Sequence, residues 1–101
     1  MNVVITESAS DDIAEGYLFY EEQYQGLGDY FEASILADIR SLVIYAGVHE
    51  IHFGIYYRKI ASRFPPAIYY TVETDAIMVY AVADTRRDPA WFNSRLNDKN
   101  L

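Results

Sequence analysis

The hydrophobic period of this chain changes at Gly47. Before that point apolar side chains recur at helical spacing. Ile13, Tyr17, Tyr20 and Tyr24 form one stripe, and Phe31, Ile35, Ile39, Leu42 and Ala46 form a second. Beyond it the apolar positions alternate or run together in short β-rich segments bounded by turn residues. Helices with one apolar stripe and strands with one apolar face bury them against each other, so the pattern predicts helices layered on a sheet.

The elements follow from local signals. Residues 3–5 read as a strand. Ser8 stands three residues before Asp11, a capping-box spacing, and Asp11 and Asp12 suit the positive end of a helix starting there. Gly26 and Gly28 separate the two stripes, giving an αα-hairpin, and Gly47 suits the residue after the second helix. Residues 52–60 are β-rich. Residues 67–72 form a further strand, opened by Pro65 and Pro66. Residues 73–75 make a hairpin turn. Residues 76–83 are the most apolar strand, expected at the centre of the sheet. Pro89 fits the first turn of a short helix over 90–96. The predicted order is β-αα-βββ-(α), an α+β fold with a helical hairpin packed on one face of a small, mainly antiparallel sheet. No repeat or linker interrupts the 101 residues, which read as a single domain over 1–101.

Composition narrows the function classes. Apolar residues at 51% and aromatics at 16% exclude a disordered tail. No apolar run approaches the roughly 18 residues that span a bilayer, so no membrane partner is expected. Residues 1–12 lack the basic-then-apolar pattern of a signal peptide, and cytoplasmic residence is expected. With no cysteine there is no disulfide framework, thiol nucleophile or thiolate metal site. Charge is uneven: residues 1–50 hold ten acids and one base, net −9, and residues 51–101 hold five acids and seven bases, net +2. An acidic whole argues against sequence-independent nucleic-acid binding, which depends on neutralising phosphates.

Other candidate sites are weak. His49 and His52 flank Glu50, but residues three apart in an extended segment point to opposite faces, so no metal site is expected. No phosphate loop, Ser-His-Asp arrangement or dinucleotide fingerprint occurs, and no cofactor is expected. The tyrosine stripe suits the packing face of the hairpin better than a base-stacking platform. Tyr56-Tyr57 and Tyr69-Tyr70 alternate across the sheet. One of each pair should face the helices and the other an open sheet face, available to a partner.

Several local patterns coincide: Gly26-Leu27-Gly28 with Phe31 opening the second helix, Arg63-Phe64-Pro65 ahead of Ile68-Tyr69-Tyr70, and Arg86-Arg87-Asp88-Pro89 with Trp91. In this order and spacing, over roughly residues 3–96, the chain resembles the RelE/ParE superfamily of type II toxin–antitoxin toxins. The ParE-like branch, also called plasmid stabilisation proteins, is the nearest. The resemblance implies a toxin neutralised by a cognate antitoxin in a hetero-oligomer, with Tyr20, Tyr24 and Phe31 as antitoxin-binding residues. ParE-like members act on DNA gyrase. RelE-like members cleave messenger RNA in the ribosome.

Metal-independent RNA cleavage needs a base, cations at the phosphorane and an acid. Carried over residue by residue, the RNA-cleaving pattern gives Arg58 and then Arg86 or Arg87. Its second strand base falls on Ile60, its next arginine on Ala67, and its C-terminal proton-transfer residue on Trp91 or Phe92, neither of which titrates. The gyrase reading needs only a surface, and Arg86, Arg87, Trp91 and Phe92 are the target-binding candidates, Arg and Trp being frequent hot-spot residues. Trp91 fits equally a core role. A non-toxic, antitoxin-binding relic is the third reading.

Overall fold

The computed structural model describes residues 1–97. Its elements are β1 (Asn2–Ile5), α1 (Glu7–Gln23), α2 (Leu27–Tyr45), β2 (Glu50–His52), β3 (Tyr56–Ile60), β4 (Ala67–Val72), β5 (Ala76–Ala83) and α3 (Pro89–Leu96). The α+β order matches the sequence reading, with one more strand than expected.

α1 begins earlier than the Ser8–Asp11 spacing suggests. Thr6 is the N-cap, and its hydroxyl accepts the Ala9 N–H at 3.2 Å, leaving Ser8 inside the first turn. Thr6 wins because it sits where the extended backbone of β1 ends, and a β-branched residue with a hydroxyl serves both roles. The hairpin turn depends on close approach. A Cβ at Gly28 would fall 2.7 Å from the Tyr17 carbonyl oxygen, so a side chain there forces α1 and α2 apart. α2 has no side-chain cap of its own. Instead the Glu21 carboxylate accepts the Gly26 N–H at 3.0 Å and the Gly28 N–H at 2.9 Å, placing negative charge at the positive end of α2.

The sheet runs β1-β5-β4-β3-β2. β1 pairs parallel with β5 and every other pair is antiparallel. β4 therefore occupies the middle, and β5, expected there, lies one place off because β1 returns alongside it. The segment 52–60 is not one strand. Phe53 and Gly54, at φ 54° and 94°, turn the chain and split it into β2 and β3.

Both faces of the sheet carry a core. On one, Ile13 of α1 and Phe31, Ile35, Ile39 and Leu42 of α2 pack with Ile68, Tyr70, Ile77, Val79 and Val82. On the other, Phe92 and Leu96 of α3 pack with Tyr56, Tyr69, Ala81 and Ala83. The tyrosine pairs do split between faces, but the face expected to be open is covered. α3 folds back over it, and the Tyr56 hydroxyl donates to the Leu96 carbonyl. A bulge supports this packing. Tyr69 pairs with Ala81 and Tyr70 with Val79, so Tyr80 is left over and both Tyr80 and Ala81 turn toward α3.

The joint between α2 and β2 is sensitive to acid. The Gly47 N–H donates to the Tyr70 hydroxyl at 3.0 Å, and that hydroxyl also meets His49 Nδ1. Burial, and then the charge of Lys59, push the His49 pKa below its usual 6.5. Neutral His49 accepts the tyrosine proton; the imidazolium does not. This contact therefore stabilises the fold fully above pH 6.5 and is lost as the pH falls through the lower folded value. Thermal melts from pH 7.5 to 5 should fall more steeply in the wild-type protein than in His49→Gln. Parallel curves refute the assignment.

Candidate functional site

The basic half of the sequence meets the acidic half at one end of the sheet, where the chain leaves β5. Asp84 turns the chain there, its Oδ1 accepting the Arg86 backbone N–H at 2.8 Å. The Arg86 guanidinium closes on both oxygens of the same carboxylate, at 3.0 and 2.8 Å. Those side-chain bonds, then the backbone one, hold the Asp84 pKa down at about 2. Arg86 is thus neutralised locally, although its side chain stands in solvent.

Asp88 starts α3 by accepting the Ala90 N–H at 2.8 Å, with Pro89 in the first turn. The helix then sets Trp91 beside Arg95, which reaches back to α1. The indole of Trp91 lies between two guanidinium groups, Arg87 at 4.4 Å and Arg95 at 4.6 Å from the ring centroid. Arg95 is anchored in turn by Asp12, through bonds of 2.6 and 3.0 Å. Asp12 also accepts the Val82 N–H at 2.9 Å, so one buried carboxylate joins α1, β5 and α3. Arg87 has no acidic partner among the described residues. Stacked on Trp91, it is the available cation of this end.

Beside it runs an open groove of about 590 Å³, bordered by Gly16, Phe19, Tyr20, Pro65, Arg86 and Arg87. Gly16 lets Phe31 pack against the groove wall. A Cβ there would sit 2.5 Å from the Phe31 ring, which packs directly on the α1 backbone. Tyr20 is half-buried in an aromatic cluster with Phe19, Phe31 and Phe64. Tyr24, at the end of α1, is 75% exposed.

Two expected contact residues belong to the interior instead. Phe31 is 2% exposed and Phe92 is 1% exposed, each stacked in one of the two cores, so neither presents its side chain to a partner. Phe19, 59% exposed, stands at the surface where Phe31 was expected. It lies off the Tyr17–Tyr20–Tyr24 stripe, and that displacement is the only signal the sequence offers for it.

The nuclease set lacks its proton-transfer residues. Arg58 stands opposite Tyr69 on the face covered by α3, and it partly offsets the upward pull of burial on the Tyr69 pKa. Arg86 and Arg87 border the groove at the end of β5, Arg86 held by Asp84 and Arg87 stacked on Trp91. Ile60 and Ala67 fill the remaining strand positions with side chains that cannot exchange a proton. Among the described residues no group of three or more His, Cys, Asp and Glu is arranged to hold a metal, and His49 and His52 serve different faces. No described helix is long and apolar enough to cross a membrane.

No protein-family model matches the chain, and no curated protein matches its sequence. Among solved structures, a chain of the chromosomal ParDE TA system from P. aeruginosa superposes with a TM-score of 0.76 at 16% sequence identity. The match covers 83% of this chain and 95% of that one. A hairpin of two helices on one face, a mainly antiparallel sheet with a parallel first strand, and near-complete mutual coverage identify the architecture: this chain has a ParE-like fold.

Proposed function

We propose that this chain is the toxin of a type II toxin–antitoxin pair, acting in the cytoplasm by contact with a protein target rather than by cutting RNA. The observation that carries the reading is the fold shared with a chain of the chromosomal ParDE TA system along most of both molecules. The side chains at the proton-transfer positions, Ile60, Ala67, Trp91 and Phe92, cannot exchange a proton, which supports contact over catalysis. The target surface is the Arg87–Trp91 pair, and the expected target is DNA gyrase, as the sequence resemblance implies. The antitoxin covers the exposed aromatic side of the hairpin, Phe19, Tyr20 and Tyr24, with a segment that orders on binding.

Induction of the chain alone in a bacterial host should stop growth with a DNA-damage response. Arg87→Ala/Trp91→Ala should relieve the arrest while the purified variant remains folded. An immediate block in translation would instead support RNA cleavage. No arrest by folded wild-type protein would refute the toxin assignment.

Tyr24→Ala removes a ring that supports no core. It should leave the melting temperature unchanged and weaken antitoxin binding about tenfold, as loss of a moderate hot spot does. Calorimetric titration with unchanged affinity would remove Tyr24 from the interface.

A further inference from the structure

We propose that, with Arg87 and Trp91 read as the target-binding pair, Arg95 is their positioning residue: anchored by Asp12, it holds the Trp91 ring so that the ring presents Arg87 at the rim of the groove. α3 carries two adjacent stripes, each spanning one turn. Phe92 and Leu96 are enclosed against the sheet. Trp91 and Arg95, each one position earlier, occupy the neighbouring stripe, from which Arg95 reaches Asp12 of α1. The Trp91 ring meets Phe92 edge-on, with centroids 5.1 Å apart. The Arg95 guanidinium lies 4.6 Å from its centroid and the Arg87 guanidinium 4.4 Å.

Arg95 suits this role by the way it is held. Its Nη1 and Nη2 donate to the two oxygens of Asp12 at 2.6 and 3.0 Å, a two-point contact that fixes the plane of the guanidinium. Asp12 is fixed in turn by the Val82 N–H at 2.9 Å, so the support is tied to the backbone of β5. The two side chains are 20% and 8% exposed. A buried ion pair adds little stability over an apolar pair of the same volume, and what this one adds is direction. Asp12 also cancels the charge of Arg95. The ring is backed by a neutral pair, and Arg87, with no acidic partner among the described residues, carries the net charge of the stack. Arg87 is exposed, and three residues back the Asp84 carboxylate already feels its charge. Stacking on a fixed ring holds Arg87 away from that carboxylate and orders it before a partner arrives, which lowers the entropic cost of binding.

Trp91 is the single tryptophan of the chain, so indole fluorescence reads its position alone. Arg95→Lys keeps the charge opposite Asp12 and removes the planar fork. It should remain folded, with acrylamide quenching of Trp91 raised toward that of an exposed indole. The Nε proton of Arg87, shifted upfield by the ring in the wild type, should move to the position it takes in Trp91→Ala. Asp12→Asn, which keeps an acceptor for the Val82 N–H and loses one arm of the fork, should move both signals in the same direction. Affinity for purified gyrase should fall about tenfold in Arg95→Lys and in Arg87→Ala, and the double variant should bind as weakly as Arg87→Ala alone. A merely structural role for Arg95 makes the two losses add. Quenching or an Arg87 proton shift that stays at the wild-type value in both Arg95→Lys and Asp12→Asn overturns the proposal, as do additive losses. The fluorescence and the proton shift need no target, so they decide the positioning even where the gyrase reading fails.

Discussion

Asp12→Ala should lower the stability of the fold by about 3 kcal/mol, the low end for breaking a buried ion pair by removing one partner. The carboxylate is buried and holds three groups: both accessible nitrogens of Arg95 and the Val82 N–H. Alanine leaves a largely buried guanidinium without its counter-charge and an amide of β5 without an acceptor. For a domain of this size the melting temperature should fall by roughly 15 °C. Arg95→Met in the Asp12→Ala background should recover part of the loss, because it removes the uncompensated charge but not the orphaned amide. A double variant no more stable than Asp12→Ala would mean that the amide, not the ion pair, carries the effect. Thermal denaturation of the four proteins in the cycle measures this directly.

Phe92→Ala should be as damaging for a different reason, with a cost of about 3–5 kcal/mol. The ring is enclosed, stacked on Phe53 at 4.6 Å and tilted against Tyr69 at 5.1 Å. It is the anchor that lets an eight-residue helix cover a sheet face. Removing it opens a cavity between α3 and β4 that the short helix has few other contacts to close. Phe92→Leu, which keeps most of the volume, should cost less than half as much. The neighbouring Trp91→Ala contrasts with both. It forfeits two guanidinium–ring contacts of about 0.5–1 kcal/mol each and an edge contact on Phe92, but the partly buried ring leaves a smaller cavity than Phe92 does. Loss of growth arrest in Trp91→Ala at near-normal stability, beside loss in Phe92→Ala through unfolding, separates a contact residue from a supporting one. Equal destabilisation by the two substitutions would make Trp91 a core residue as well.

The elements were legible because their signals are local. Gly47 follows α2 at φ 91°, Pro89 opens α3, and residues 73–75 turn β4 into β5, each as the sequence indicates. What was not legible depends on contacts far apart in the chain. The position of β5 is set by β1, through a parallel pairing that no hairpin signal announces. The alternation of Tyr56-Tyr57 and Tyr69-Tyr70 identified two faces but not the helix that covers the second. Phe31 and Phe92 were chosen for their chemistry as contact residues, and only packing reveals that both are enclosed. Glu21 lies off the apolar stripe, with no local sign of a capping role. It caps the next helix because the Gly26–Gly28 turn folds back on it. At the site, Arg86 and Arg87 looked equivalent in sequence. Asp84 claims one and leaves the other to Trp91, a division set by the tight turn after β5.

The parallel seam between β1 and β5 has a consequence for the birth of the molecule. The first strand is made long before its partner residues, 76–79. Until they emerge, β1 has no neighbour and the hairpin has no sheet to cover. Closing so long a loop carries a large entropic cost before any contact returns it. Until then the nascent segment holds an unsupported pair of helices. It becomes a folded molecule only when β5 threads into place between β1 and β4.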